Sequence, residues 1–326
     1  RSCGIKLVYK KNARQIWPRA SASLCCEVVS CFPTKISCFF LVGLLVPGIF
    51  IFEMSIVLPS LTVLFNAGIA KQMFHIFIIM LFFTNITGNM MMSILTDTKV
   101  KRHQGSTHDM HNKLQDTTYC EYCKVNRPPK TWHCKKCNVC ILRRNHHCFF
   151  LSRCIGLYNQ RYYILFLGDV SVAMLYATYY NFYYVTSKFE DGGWMLSGFR
   201  IINPFLRAVI PEPMGIRDLC VLFLFCNVGI FVWSALLCNY HLSNVVKGVT
   251  AFESRDPNRT NLLNWRENLL NVFGTRWYLA VIWPFADSIL NIRYGLCFYL
   301  MLSIPVNLVP PRNQMYGKIN YLYYYF

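Results

Sequence analysis

Four apolar stretches set what this chain can fold into. They run from Ile36 to Leu58, Met73 to Leu95, Tyr162 to Thr186 and Leu219 to Leu242. Each meets the roughly 20 residues that a helix needs to cross a hydrocarbon core. There every backbone N–H and C=O must be bonded inside its own segment, so a bundle of helices is the expected fold. The first stretch carries Glu53 near its end and the third carries Asp169 early in its length. Ionisable groups at such depth have to face protein, water or the interface. A further stretch, Leu296 to Val309, is broken by Pro305 and Asn307 and reads as an interfacial or packed helix.

Charge gives the spans a direction. Only 15% of the 326 residues are charged, against roughly 25% in a soluble domain, yet the net formal charge is +18. Residues 1–35 hold seven Lys/Arg and one acid, residues 97–161 hold thirteen and four, and residues 243–326 hold eight and four. The loop from Pro59 to Gln72 has only Lys71, and the loop from Ser187 to Asp218 has four of each sign. Lys/Arg excess marks cytoplasmic segments, which puts both termini and the loop after the second span in the cytosol. The positive charge is therefore mainly topological, with attraction to anionic headgroups added. A nucleic-acid partner is not expected, since that would need basic and aromatic residues on one face of a soluble fold. The opening basic segment reads as a cytosolic flank rather than a mitochondrial presequence.

Seven of the 16 cysteines crowd between Cys120 and Cys154. The pattern is Cys120-x2-Cys123, His133-Cys134-x2-Cys137-x2-Cys140, His146-His147-Cys148 and Cys154. Closely spaced Cys pairs with His are what a tetrahedral zinc site draws from tight turns, and they point to a reducing compartment. Seven cysteines and three histidines are two more than a pair of four-coordinate sites can use. A purely structural double zinc knot accounts for eight of the ten, and the remaining two are where chemistry could sit.

This segment resembles the cysteine-rich domain of the DHHC protein S-acyltransferases, the palmitoyltransferases. The likeness rests on Arg127-Pro128, His133-Cys134, the His146-His147-Cys148 core, Cys154-Ile155-Gly156, Asn159, Arg161 and Tyr163. The order of two spans, cytosolic cysteine-rich loop, two spans and cytosolic tail is also that family's. Its other landmarks are reduced here to Asp97 after the second span and to Thr250 and Glu253 after the fourth. Residues 268–274 with Trp277 and Pro284 resemble its tail motif.

The resemblance implies an all-α integral membrane protein of four transmembrane helices with a zinc-stapled cytosolic domain between helices two and three. The divisions are a basic segment 1–35, helices one and two in 36–95, the zinc domain 96–161, helices three and four in 162–242, and a tail 243–326. It assigns one structural zinc to Cys120, Cys123, His133 and Cys140 and a second to Cys134, Cys137, His147 and Cys154. The leftovers become a general base, His146, and a nucleophile, Cys148. Palmitoyl-CoA is the implied donor, cysteines of membrane-proximal proteins the acceptors, and endoplasmic reticulum or Golgi membranes the setting.

The chemistry suits these residue types. Thioester exchange between two sulfurs is nearly balanced, but a thiol with pKa near 8.5 needs a base or a positive setting to react at pH 7. His146 would take the proton, with Arg143, Arg144 and Arg153 favouring the thiolate. The motif's first position, Asp in the family, is Asn145 here. An amide still accepts a hydrogen bond but carries no charge, so the expectation is slowed transfer; papain-like enzymes work with a Cys-His-Asn set. An acyl tail roughly 20 Å long, laid along a helix rising about 1.5 Å per residue, would end near Ala173 to Ala177, with Met174 and Tyr176 able to close its path.

Two rivals remain open. One is a non-enzymatic relative, a zinc-stapled membrane adaptor. The other, a RING-type ubiquitin ligase, wants a longer ligand span and a Cys-x-His-x2-Cys centre, and neither is present. Elsewhere Cys25, Cys26, Cys31 and Cys38 flank the first span and read as ordinary thiols, with lipid attachment the alternative, and Cys220, Cys226, Cys238 and Cys297 read as packing residues. His103, His108 and His111 read as a solvated linker, and Tyr176 to Tyr184 as an interfacial aromatic belt.

Overall fold

The computed structural model describes residues 46–60, 68–100, 118–209, 213–255, 263–286 and 288. The basic opening segment, the first half of the first expected span, the amino-terminal cysteines, His103, His108, His111 and everything from 289 onward, Cys297 included, lie outside the described residues. Helix α1, Val46–Phe52, continues through a π-helical turn, Glu53–Val57. Helix α2, Ile69–Leu95, follows, and after the cysteine-rich segment come α3, Gln160–Lys188, and α6, Ile216–Val246. Short helices α4, Gly193–Ile202, and α5, Pro204–Val209, join α3 to α6. Among the described residues, α2, α3 and α6 are long and apolar enough to cross a membrane.

Polar side chains inside this bundle are paired across helices. Asn181 on α3 and Asn227 on α6 donate to the Glu53 carboxylate at 2.8 and 3.5 Å. Asn89 on α2 donates to Asp169 on α3 at 2.9 Å, and Ser171 on α3 donates to Ser234 on α6 at 3.0 Å. Both ionisable residues therefore face protein, as their depth demands. Such bonds contribute only about 0.6–2 kcal/mol each in a bilayer, so they set the register of the helices more than they drive assembly.

The cysteine-rich segment is not helical, and there the all-α expectation fails. It is three antiparallel hairpins of three-residue strands: β1, Thr118–Cys120, with β2, Val125–Arg127; β3, Trp132–Cys134, with β4, Val139–Ile141; β5, His146–Cys148, with β6, Arg153–Ile155. The hairpins repeat in register. Cys120, Cys134 and Cys148 each end a first strand, and the turns that follow put Lys124, Asn138 and Ser152 in the left-handed region at φ 51–53°. Every equivalent pair is 14 positions apart (120, 134, 148). This periodicity is hidden in the sequence because only part of each unit keeps its ligand residues.

Asn159 ties the hairpins to the bundle. Its Oδ1 accepts the Gly156 N–H at 2.8 Å, and its Nδ2 donates to the carbonyls of Ser93 on α2 and Cys154 on β6 at 2.9 and 3.0 Å. Arg153 adds a bond from Nε to the Ile94 carbonyl at 3.0 Å. Gly156 has to be glycine, because a Cβ there would meet the Leu142 carbonyl at 2.6 Å. The tail returns through α7, Trp265–Phe273, and α8, Trp277–Ile282. Asn268 holds α7 to the Val246 carbonyl at 2.9 Å, Pro284 lies where a Cβ on Gly88 would be, and Arg161 donates to the Ser288 carbonyl at 3.0 Å.

Asn159→Ala would leave a buried N–H and two buried carbonyls short of a partner, at about 1–3 kcal/mol for each group left unsatisfied. We expect a clearly lowered unfolding temperature in detergent, and a smaller loss in Asn159→Asp, which keeps the acceptor for Gly156. Equal melting of all three proteins would show that this clamp does not hold the domain.

Candidate metal centres and reactive cysteine

Successive hairpins share their ligands. Cys120 and Cys123 of the first hairpin meet His133 and Cys140 of the second, while Cys134 and Cys137 of the second meet His147 and Cys154 of the third. Within each group all ligand atoms lie within 4.8 Å of one another. His133 Nδ1 stands 3.2, 3.7 and 4.0 Å from the sulfurs of Cys123, Cys120 and Cys140. His147 Nδ1 stands 3.2, 3.6 and 3.7 Å from those of Cys137, Cys154 and Cys134. A tetrahedron with metal–ligand bonds of about 2.0–2.3 Å has edges of roughly 3.5–3.8 Å, so both groups fit a zinc ion. Burial, then its sulfur neighbours Cys120 and Cys123, pushes the Cys140 thiol far up. A hydrogen bond with Cys137, then burial, does the same to Cys154. Three thiolates so close together need a cation between them.

The other two candidates lie on β5, beside the second group. Cys148 is buried within the apolar cluster that includes Leu151, Tyr163, Phe166, Ala173 and Met174, with the Tyr163 hydroxyl close to its thiol. The His146 ring meets the edge of Tyr163 at 5.0 Å and stacks on His241 of α6 at 4.9 Å, 23° from parallel. Burial first, then His241, His147 and Arg144, pulls the His146 imidazole down to about 3. It is neutral at pH 7, and its buried Nδ1 has no hydrogen-bond partner among the described residues.

Asn145 is buried and held at both ends. Its Oδ1 accepts the Ala251 N–H at 2.6 Å, and its Nδ2 faces His241 Nδ1 at 3.4 Å. Ala251 lies in the turn after α6, which is also bonded to the second hairpin. Lys130 donates to the Gly248 carbonyl at 3.1 Å and pairs with Glu253 at 3.6 Å, Glu253 accepts the Thr250 N–H at 3.0 Å, and Trp132 packs on Phe252 at 4.7 Å. The arginines expected around the thiol have other contacts. Arg153 bonds Ile94, Arg144 lies over the Phe252 ring at 5.7 Å, and the charge of Arg143 is opposed by Glu253.

Below Cys148 an apolar cavity opens between α1, α2, α3 and α6. Ala173, Met174, Tyr176 and Ala177 line it together with Phe166, Ile86 and Glu53, in the stretch of α3 where the length of an acyl tail placed its end. Phe166, Ala173 and Met174 belong both to this lining and to the buried apolar cluster that includes Cys148. Sequence reasoning missed His241 and Ala251, which lie 96 and 106 residues beyond Asn145. A lone His near the end of an apolar run carries no local signal.

Residues 113–258 match the family described as DHHC palmitoyltransferase. The chain is 30% identical over 216 residues to the probable palmitoyltransferase ZDHHC24 of Danio rerio, covering 66% of this chain and 72% of that protein. It is 28% identical over 185 residues to palmitoyltransferase ZDHHC22 of Mus musculus, covering 54% and 69%. Over 76 residues it is 41% identical to palmitoyltransferase erf2 of Schizosaccharomyces pombe, covering 23% and 22%.

Because the second hairpin contributes to both ligand groups, we expect zinc analysis of the purified protein to find two ions per chain. We expect Cys134→Ser to lose more than one of them and Cys148→Ser to keep both. Loss of a single ion from Cys134→Ser would mean that the two groups fold independently.

Proposed function

The chain belongs to the DHHC palmitoyltransferase family, and from that premise we propose that it is a protein S-palmitoyltransferase working through a Cys148 acyl-enzyme. The observation that carries this reading is that the buried Cys148 packs in the same apolar cluster as Phe166, Ala173 and Met174, which line the cavity between the helices. A thioester presented at the cytosolic end of the helices would meet Cys148 with its acyl tail already out of water. The four-span topology, with both termini and the zinc domain in the cytosol, is part of the proposal, as are the domain divisions drawn from the sequence and an endoplasmic reticulum or Golgi membrane.

The steps balance on this chain's own residues. His146, whose buried Nδ1 has no hydrogen-bond partner among the described residues, takes the Cys148 proton as the sulfur attacks the thioester carbonyl of palmitoyl-CoA. The carbon–sulfur bond to CoA breaks, and the proton leaves with the CoA thiol. A cysteine of a membrane-proximal client then gives its proton to His146 and attacks the acyl-Cys148 carbonyl. The acyl chain passes to the client, and Cys148 recovers a proton. Zinc, when bound, supplies rigidity, since both proposed sites are fully ligated by protein. Asn145 reaches His241 rather than His146 and brings no charge to the pair of stacked imidazoles, which supports a slowed enzyme rather than a fast one.

A clickable palmitoyl-CoA analogue and detergent-purified protein test this directly. Hydroxylamine-sensitive label is expected on the wild type and absent from Cys148→Ser. No label on a wild type that holds both zincs would favour the adaptor. Ala177→Phe, which fills the cavity, should move the preference toward shorter acyl chains without changing zinc content. An unchanged preference would take the chain out of this cavity.

A further inference from the structure

Asn145 is the one position where this chain departs from its family's four-residue motif, and its contacts give the change a consequence. The Ala251 N–H can only donate, so the Asn145 oxygen must face it and the amide nitrogen must face His241. An amide nitrogen can only donate in turn, so His241 Nδ1 accepts and its ring carries the proton on Nε2. An Asp here would present an acceptor to the same Nδ1 and require a proton on it. Asn145 and a neutral His241 are thus a matched pair, each buried.

His241 then acts on His146 by contact. The two rings stack at 4.9 Å, and Tyr163 closes both edges at 5.0 and 5.2 Å while its hydroxyl lies close to the Cys148 thiol. With no hydrogen bond on His146 Nδ1 among the described residues, the stack on His241 and the edge contact with Tyr163 are what fix the plane of the ring. We propose that His241 is a positioning residue of the acyl-transfer site: Asn145 holds His241, and His241 holds the His146 ring in the plane that addresses Cys148. The inference rests on the Cys148 acyl-enzyme reading and extends the motif to a residue on α6.

The test is a double-mutant cycle on the full-length, zinc-loaded protein, with Asn145→Ala, His241→Phe and the double variant. Acylation of Cys148 is followed over a range of palmitoyl-CoA concentrations. In His241→Phe the maximal rate should fall about tenfold, the lower end of the cost of losing an imidazole's orienting partner. KM, zinc content and melting temperature should stay unchanged. If Asn145 works through His241, the double variant is no slower than the slower single. A wild-type rate in His241→Phe overturns the proposal, and so do effects that simply multiply. Loss of zinc or of thermal stability in both His241→Phe and the milder His241→Gln also overturns it, since the role is then packing alone. Should the wild type itself take no label, the acyl-enzyme reading fails separately. The His241 inference is then judged by iodoacetamide alkylation of Cys148, with Cys148→Ser as the blank: slower alkylation in His241→Phe retains it, and an equal rate removes it.

Discussion

Strands of three residues cannot hold themselves together, and the cysteine-rich segment of this protein is made of six of them. An isolated two-stranded hairpin is marginal in water even when longer. What makes three of them a domain is the sharing of ligands, each group taking two sulfurs from one hairpin and a His–Cys pair from the next. The cost of crowding three sulfurs, visible in the raised Cys140 and Cys154 thiols, is offset only when a cation sits among them. Metal affinity and folding are then one equilibrium, and the position of β5, which carries both His146 and Cys148, depends on it.

That order reaches the helices partly through apolar packing and partly through polar side chains bonded to backbone. Asn159 joins the end of α2, the last hairpin and the start of α3. Arg153 and Arg161 extend the link to α2 and to the tail. Backbone carbonyls at helix ends are obligatory acceptors, so a side chain that satisfies them fixes distance and direction together. Cys148 is consequently held in the buried apolar cluster that it shares with the helices. A tether of loop residues would let it wander by more than a bond length, and positioning errors of that size are costly in catalysis.

The sequence made some of this legible and hid the rest for physical reasons. Spans announce themselves through length and apolar content, so α2, α3 and α6 fall close to their expected places. The ligand groupings needed the family resemblance, because spacing alone leaves ten candidates open. The hairpins were missed since three-residue strands are too short to show alternation. Asn145 was read as a partner for the neighbouring His146, a natural choice along the chain. In space its amide faces His241 and Ala251, contributed by α6 and the turn after it. Tertiary contacts across some hundred residues leave no periodic trace.

The repeat explains why this particular cysteine is outside both ligand groups. Cys148 occupies in the third hairpin the position that Cys120 and Cys134 occupy in the first two, and the register of all three hairpins agrees. In those two units the residue three places on is a second cysteine, Cys123 or Cys137, and the pair reaches forward to the next hairpin. In the third unit that place is Leu151, which is 1% exposed and packed in the cluster with Cys148. The segment that follows is α3, not another hairpin. A position that elsewhere gives its sulfur to a ligand group therefore lies here in the apolar cluster with Leu151 and Tyr163. One leucine in place of a cysteine, and a helix in place of a fourth strand pair, separate a structural sulfur from one available for chemistry.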